Sequence, residues 1–491
     1  MDWQALFEQW AIKGAMIDGM TALGIQCGHA AGVGSRILGL EGDASRQCGW
    51  YYFKRCRDRL RNEGSRVTVD AIRCYIILAL FQLQANQLED AYYMVGLGIR
   101  RAHMSNLHLA PPAHLSPEES VGRVRTWWLL YWLDIHCAIQ LDRPSAIQRS
   151  SISCPAPPDP NDGLSSADNS FGWAPWKGFH PWAYSFFHSK LTLAIAQALE
   201  GMPNINFIDE AEAASMLEPS AKRLSSSIKH LEGWLNGLPG HLSNSHDIDS
   251  NGTFIREGTG DTATHTITST PSIVTATLTL GIPDWLQRQR IMLEIQYHNA
   301  CILLQRPFIL WSSGNGTVPT PPIPSRTKQH ADSAIEHATT LISMLDCTYS
   351  KSDVFDGLPM AFQALWNATA TIAAHLLINP QGPQTEQLSQ SLSSVLSILD
   401  SHSRANPDAV QIYEVSHSLI CRLQDATGLM ILSYTAISPD DTVTTFSMPS
   451  NSAQGYMNGS LIMPEMPEVS HDAFGTFDTD LFDEILGARH G

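Results

Sequence analysis

The segment RVRTWWLLYWLDIHCAIQLDRPSAI, residues 123–147, decides the fold class of this 491-residue chain. Its apolar side chains recur at spacings of three and four, the period of one face of an α-helix. They are Val124, Trp128, Tyr131, Ile135, Ala138 and Ile139. The stripe stops before Pro144, because proline pushes the residue in front of it out of the α region. The spacing therefore predicts an aromatic-rich helix with a defined end.

Stripes of the same period lie on both sides of this segment. Residues 72–83 and 88–102 predict two helices before it, and residues 291–302 predict one after it that stops before Pro307. Weaker helical patterns cover residues 186–200, 210–237, 329–346, 358–378, 386–401 and 409–432. We therefore predict an all-α, multi-helix domain over residues 1–437.

Three inserts and a C-terminal tail interrupt or follow the helical patterns. The inserts, at about residues 150–183, 239–283 and 312–326, are rich in Pro, Gly, Ser, Thr and Asn and are predicted to be loops. Residues 438–491 hold nine acidic side chains and one arginine, a net charge of −8 out of −17 for the whole chain. Hydrophobic residues alternate with these acids at Phe474, Phe477, Leu481, Phe482, Ile485 and Leu486. This composition predicts a disordered tail with one segment that folds as a helix on a partner.

The overall composition excludes several classes of protein. Hydrophobic residues make up 43% and charged residues 16%, so the chain can bury a core. With 48 Asp and Glu against 31 Lys and Arg, the chain is too acidic to hold DNA by itself, because that binding needs a basic surface. No apolar run approaches the roughly 20 residues that cross a bilayer, so we expect no membrane partner. The nine cysteines are an odd number, spread widely, and favour reduced thiols.

Signatures of catalysis and metal binding are missing from the sequence. It contains no Gly-x-Ser-x-Gly, no phosphate-binding Gly-x-x-x-x-Gly-Lys-Ser/Thr and no His-Glu-x-x-His motif. No Cys-x-x-Cys pair occurs, and the closest cysteines, Cys48 and Cys56, are eight residues apart. We therefore expect no catalytic residue, no metal site and no cofactor.

Asp134 is a carboxylate in the middle of the aromatic helix. A buried carboxylate must be paired or hydrogen-bonded, so we expect Asp134 to contact an arginine. Candidate arginines are Arg123, Arg125 and Arg143. A catalytic role is the sharper alternative, but no nucleophile or base lies nearby in the sequence.

Three other polar residues are predicted to be structural, and two histidines are predicted not to share a helix face. Arg143 and Arg306 lie at helix ends, where a cation can satisfy carbonyl groups. His298 lies on an apolar stripe and is predicted to be a core histidine. His103 and His108 are five residues apart, a spacing that does not align them on one helix face.

Four segments, in order, carry a family resemblance. They are CGWYYFKRCRDRL (48–60), AYYMVGLGIRRAHMSNLHL (91–109), the helix that ends in Asp-Arg-Pro (142–144), and YHNACILLQRPF (297–308). Over roughly residues 20–435 the chain resembles the middle homology region of fungal zinc-cluster transcription factors, the xylanolytic-activator-type regulatory domain. By this resemblance the structural motif residues are Trp128, Asp134, Arg143, Pro144, Tyr297, His298, Arg306, Pro307 and Phe308. Asp142 departs from the family, which usually has glycine before Arg-Pro.

The resemblance implies a nuclear regulator of RNA polymerase II transcription. The family's DNA-binding module, a six-cysteine cluster that holds two zinc ions, is missing from this sequence. DNA contact would then come from a missing module or from a homo- or heterodimer partner. The resemblance also makes a small-molecule effector of the helical core plausible, and the tail composition points to coactivators as its partners.

Several alternatives stay open at the level of sequence. The chain could be a co-regulator that has no DNA-binding module of its own, or an interaction scaffold. The tail could serve only for solubility. A helical enzyme is a further alternative, in which WAPWKGFHPW (173–182) lines a small-molecule pocket and His180 or His188 acts as the base.

Overall fold

A computed structural model describes residues 3–30, 43–61, 67–158, 182–200, 210–243, 246–248, 254–256, 283–310, 325–349, 354–355, 358–405 and 410–431. Within these ranges the chain forms thirteen α-helices, one 3₁₀ turn and one two-stranded hairpin. The predicted all-α class is therefore confirmed.

The first seven helices are α1 (Trp3–Ala30), α2 (Asp43–Arg61), α3 (Val69–Gln84), α4 (Leu88–Met104), α5 (Pro117–Leu141), α6 (Ala183–Glu200) and α7 (Glu210–Asn236). The 3₁₀ turn, Arg149–Ser151, follows α5. Strands β1 (His246–Ile248) and β2 (Phe254–Arg256) precede the last six helices. Those are α8 (Asp284–Gln305), α9 (Pro307–Leu310), α10 (Ser325–Tyr349), α11 (Pro359–Ile378), α12 (Thr385–Ala405) and α13 (Val410–Thr427).

The aromatic helix α5 begins and ends at residues that favour helix termini. Ser116 precedes it in a capping box: its hydroxyl accepts a hydrogen bond from the Glu119 N–H, and the Glu119 carboxylate accepts one from the Ser116 N–H. Pro117 occupies the first turn, where its missing N–H costs nothing. The helix ends before Pro144, as its spacing predicts.

Three elements differ from the prediction. No apolar stripe predicts α1, which packs against α2 as a helical hairpin. The insert predicted as a loop at 239–283 contains the antiparallel pair β1–β2, in which His246 lies opposite Arg256. Helix α13 ends at Thr427 rather than near residue 432, because Gly428 adopts a left-handed φ of 71° that stops the helix.

One continuous hydrophobic core runs through the described helices, from Ala15 in α1 to Ile431 after α13. Helix α5 lies centrally, in contact with α3 and α4 on one side and with α6 and α8 on another. Its Trp127 and Tyr131 are among the largest fully buried side chains. Helix α8 packs in turn on α10 and α11. None of the helices within the described residues combines the length and apolar character that a bilayer-spanning helix requires.

Candidate functional site

Asp134 fastens the segment after α5 to the middle of that helix. Its carboxylate is fully buried and accepts three hydrogen bonds: from the Ser145 hydroxyl at 2.6 Å, the Ile147 N–H at 3.0 Å and the Ala146 N–H at 3.2 Å. Burial raises the pKa of Asp134, and these three hydrogen bonds oppose the rise. The carboxylate is therefore fully occupied by structural contacts.

The expectation that an arginine pairs with Asp134 is wrong. Arg123 instead donates to the Ser105 carbonyl at 2.9 Å, and the Arg125 guanidinium lies 3.7 Å from the centre of the Trp182 ring. Arg143 is exposed, and its backbone N–H donates to the Ala138 carbonyl at 2.9 Å. Two peptide N–H groups and a hydroxyl satisfy the carboxylate without bringing a second charge into the core.

Two further side chains hold the same segment against the helices. The Trp128 indole N–H donates to the Pro155 carbonyl at 2.6 Å, and the Tyr92 hydroxyl donates to the Pro144 carbonyl at 2.8 Å. His108 adds a backbone contact, because its carbonyl accepts from Cys154 N–H at 2.9 Å. Residues 143–155 thus lie along α4 and α5 as a fixed strap.

His103 and His108 lie together although their spacing predicts no shared helix face. Their rings meet edge to face with centroids 4.8 Å apart, and both lie near the buried Trp127 ring. Helix α4 ends at Met104, and Asn106 takes a positive φ of 53°, so the chain turns back and carries His108 toward His103. Burial, together with the nearby His108, lowers the pKa of His103.

The second Arg-Pro segment, at the end of α8, also serves packing. Tyr297 stacks on Trp234, and its ring meets His298 and His337 edge to face. His298 and His337 approach each other with their Nδ1 atoms 3.0 Å apart, and burial lowers the pKa of both, to about 3 and about 4. At neutral pH one imidazole donates and the other accepts, so His298 has the partner expected of a core histidine.

The turn between α8 and α9 places Phe308 in the core. The Arg306 N–H donates to the Ile302 carbonyl at 2.7 Å, and Pro307 begins the short helix α9. Phe308 is fully buried, and its ring lies 5.2 Å from that of His330. This motif therefore redirects the chain into the core.

Polar side chains of α5, α8 and α11 meet between the two Arg-Pro segments. The spacing of apolar residues predicts the face of each single helix and does not predict this contact between helices. The buried Asn367 amide donates to the Gln140 carbonyl oxygen at 3.0 Å and to the Asn299 carbonyl oxygen at 2.8 Å. On α6, His188 stacks on Tyr184 with ring centroids 5.0 Å apart. One sequence signal points to a polar face on α5: Trp132, His136 and Gln140 follow one another at spacings of four, which puts them on the same side of the helix.

The described residues offer no metal site: among them, no three His, Cys, Asp or Glu side chains are grouped so as to hold an ion. The zinc pair of the family's DNA-binding module needs six closely spaced cysteine ligands. The cysteines of this sequence are at least eight residues apart and do not fit that cluster.

A family model described as the fungal specific transcription factor domain matches residues 43–233. The chain carries a fungal specific transcription factor domain. The match runs from α2 through most of α7, so it includes α5, Asp134 and the strap that follows it. The second Arg-Pro segment lies beyond the matched residues.

Three curated relatives resemble the chain over most of its length. The oosporein cluster regulator of Beauveria bassiana is 41% identical over 444 residues, 86% of this chain and 57% of that protein. The terreic acid cluster-specific transcription factor of Aspergillus terreus is 24% identical over 76% of this chain and 55% of its own length. Transcription factor asqA of Emericella nidulans is 24% identical over 71% of this chain and 60% of its own length. The chain thus spans just over half the length of these relatives, and no solved structure matches it.

The fungal transcription factor domain keeps its turn geometry at Asp142 without the usual glycine. Asp142 adopts the left-handed conformation, with φ of 50° and ψ of 48°, and its N–H donates to the Ala138 carbonyl. Asparagine and aspartate tolerate this region better than most residues, but glycine adopts it without steric cost. The predicted tail contacts at 474–486 lie outside the described residues.

Proposed function

We propose that this chain is the regulatory part of a fungal transcription regulator that acts in the nucleus and controls RNA polymerase II transcription of a biosynthetic gene cluster. The observation that carries the proposal is the 41% identity over 444 residues to a protein named as a cluster regulator. The other two relatives are named as transcription factors, one of them cluster-specific. No enzymatic activity is part of the proposal.

Contact with DNA comes from outside these 491 residues in this proposal. The net charge of −17 opposes DNA binding, and the cysteine spacing does not supply a zinc cluster. A further module or a dimer partner would bring the regulatory domain to its target promoters.

The acidic tail is proposed to contact transcriptional coactivators. Its acids keep the hydrophobic residues of 474–486 in water until a coactivator groove accepts them as a helix. Binding would then depend on the hydrophobic side chains more than on net charge.

Disruption of the gene tests the cluster assignment. We expect transcripts of a contiguous set of genes to fall at least about tenfold, and re-introduction of the gene to restore them. Unchanged transcripts across the genome, measured by RNA sequencing under conditions in which the gene is expressed, would contradict the proposed function.

A reporter assay tests the tail separately. Residues 438–491 fused to a neutral DNA-binding domain should activate transcription, and Phe477→Ala, Leu481→Ala and Phe482→Ala together should abolish the activation. The matched control replaces three other hydrophobic tail residues, Leu461, Met463 and Met466, by alanine and should retain activity. Equal activity in both triple variants would refute the coactivator contact.

A further inference from the structure

The outer face of helix α1 exposes large hydrophobic side chains. Helix α1 packs against α2 and α3, and on that inner side Ala15, Asp18 and Ala22 are buried. On the opposite side Ile17 is 64% exposed and Met20 is 60% exposed. Their spacing of three places these two side chains next to each other on one face of the helix.

Positive charge and a third apolar side chain border these two residues. Lys13 is exposed and lies on the same face of α1, one turn earlier. Next to that face, Arg59 and Arg55 of α2 contact the Asp18 carboxylate at 3.0 Å and 2.6 Å. The Arg55 guanidinium also lies 5.7 Å from the centre of the Tyr51 ring, and Tyr51 is 47% exposed. We name this surface the hairpin face; it consists of Lys13, Ile17, Met20, Tyr51, Arg55 and Arg59.

The hairpin of α1 and α2 is basic, although the chain as a whole is acidic. The two helices hold seven Lys and Arg against four Asp and Glu, whereas the whole chain holds 31 against 48. On the hairpin face itself, the single Asp18 carboxylate lies between two guanidinium groups and cannot neutralise both. An exposed apolar surface bordered by positive charge favours an occupant that is both hydrophobic and acidic.

The C-terminal segment 474–486, FGTFDTDLFDEIL, has this chemistry. It carries four acidic side chains and no basic one. Phe474, Phe477, Leu481 and Ile485 follow one another at spacings of three and four, so in a helical conformation they form one apolar face. An amphipathic helix that lays its apolar face on a hydrophobic surface is a recurrent mode of recognition. The segment therefore complements the hairpin face in hydrophobicity and in charge.

The chain is long enough to bring the segment to the hairpin face. Residues 432–473 connect Ile431, the last described residue, to the segment. These 42 residues reach at most about 140 Å when extended, well beyond the radius of gyration of about 22 Å that is typical of a compact domain of 437 residues. A segment tethered in this way has an effective concentration on the order of 1 mM, so even a weak contact would be formed much of the time.

We propose that the hairpin face binds the acidic, hydrophobic segment 474–486 of the same chain. The three apolar side chains of the face cover the apolar side of the segment, and the three cations lie beside its carboxylates. The hydrophobic side chains that bind the hairpin face are those proposed to bind coactivators, so the two contacts exclude each other. That competition rests on the proposed function, whereas the contact within the chain does not.

Amide NMR spectra of the ¹⁵N-labelled 491-residue chain test the contact. A segment that moves freely gives sharp signals, whereas a segment bound to the folded helices tumbles with them and its signals weaken. In the wild-type chain we expect the signals of residues 474–486 to be at least about fivefold weaker than those of residues 446–458 of the same tail. Sodium chloride at about 0.5 M should restore part of this intensity, because salt screens the charge attraction.

Two exposed positions locate the surface. The double variant Ile17→Glu, Met20→Glu adds negative charge where burial is slight, and the signals of 474–486 should recover to within about twofold of those of 446–458. The matched control is Tyr93→Glu, Met104→Glu on α4, where the two side chains are 63% and 71% exposed, and its signals should stay weak. If the double variant fails to fold, Lys13→Glu provides a second reading, in which we expect partial recovery.

Three results would overturn the proposal. The first is strong signals for residues 474–486 in the wild-type chain, and the second is signals that stay weak in the folded hairpin-face variants. The third is a loss of signal that grows with chain concentration, since this would place the segment on a second copy of the chain. The reporter assay uses residues 438–491 without the hairpin, so its outcome is independent of this test and the two proposals can fail separately.

Discussion

Asp18 and Asp134 are both almost fully buried, one in the N-terminal hairpin α1–α2 and the other in the central helix α5. Asp18 contacts two arginines of α2: its carboxylate lies 2.6 Å from Arg55 Nη2 and 3.0 Å from Arg59 Nη1. Asp134 contacts no arginine and is satisfied by two peptide N–H groups and the Ser145 hydroxyl.

The difference follows from position in the fold. Arg55 and Arg59 are 42% and 38% exposed, so these guanidinium groups keep part of their hydration while they neutralise Asp18. An arginine brought to Asp134 would lose its water, a penalty that often exceeds the Coulombic gain. Asp18 is therefore neutralised by ion pairs, and Asp134 is satisfied by neutral hydrogen-bond donors.

Removal of the Asp134 carboxylate should have the largest effect. Asp134→Ala leaves the Ala146 N–H without its acceptor and leaves the Ser145 hydroxyl and the Ile147 N–H only their longer 3.2 Å contacts with each other's residue. With the loss of the buried side chain, we expect the free energy of unfolding to fall by about 3–5 kcal/mol. Ser145→Ala, which removes one donor, should cost about 1 kcal/mol. Urea unfolding measures both, and a cost below about 1 kcal/mol for Asp134→Ala would contradict the structural role.

Acid should lower the free energy of unfolding, because the buried His298 and His337 are neutral in the folded chain. The pKa values of His298 and His337 are lowered to about 3 and about 4, whereas an unfolded histidine titrates near 6.5. As pH falls below about 6.5, these two histidines bind protons in the unfolded chain. In the folded chain they bind protons only below about pH 4. Stability is therefore full above about pH 6.5 and is lost on acidification, by about 1.4 kcal/mol per pH unit for each histidine.

His337→Phe removes one of these two titrating groups. Between pH 6.5 and 5 we expect the variant to lose about 2 kcal/mol less stability than the wild-type chain. The free energy of urea unfolding, measured across this range, is the test. Parallel pH profiles for the two chains would show that His337 is protonated equally in the folded and unfolded states.

The ion pairs of the hairpin should matter less. Asp18→Ala leaves Arg55 and Arg59 free to turn into water, so we expect a loss of about 1–2 kcal/mol, smaller than for Asp134→Ala. The control is Asp58→Ala, whose exposed carboxylate lies 3.8 Å from Arg57 and from Arg61 and should contribute less than about 0.5 kcal/mol. If Asp18→Ala proved the more costly of the two buried changes, our comparison would be reversed.

The smallest expected effect is a gain at the end of α5. Asp142→Gly relieves a left-handed conformation with φ of 50°, and we expect it to stabilise the chain by about 0.5–1 kcal/mol. Asp142→Ala, which keeps a Cβ atom, should not do so. Differential scanning calorimetry would show the two melting temperatures on opposite sides of the wild-type value if the strain is as described.

Helices and their ends were largely predictable. The stripes at residues 72–83, 88–102 and 291–302 correspond to α3, α4 and α8, and the stops before Pro144 and Pro307 lie where the structure ends α5 and α8. Apolar spacing and proline sterics act over one or two turns of chain, so the sequence alone carries them.

Partners across the fold were not predictable in the same way. His103 and His108 meet because a turn at Asn106 follows the helix, a geometry that spacing on one helix does not contain. Asp134 was predicted to contact an arginine by the rule that a buried carboxylate must be paired or hydrogen-bonded. Its hydrogen bonds satisfy that rule, but the rule does not specify whether the donors are arginines or, as here, two peptide N–H groups and a hydroxyl.

The sequence by itself determined the helical class, the helix ends at both Arg-Pro segments and the family resemblance, since these depend on local periodicity and ordered motifs. Only the tertiary structure decided that arginines pair with Asp18 and peptide N–H groups with Asp134, and that Gln140, Asn299 and Asn367 meet from three helices. Whether a buried polar group meets a charge, a neutral donor or no partner at all depends on which distant segments exclude water around it, and no local pattern records that choice.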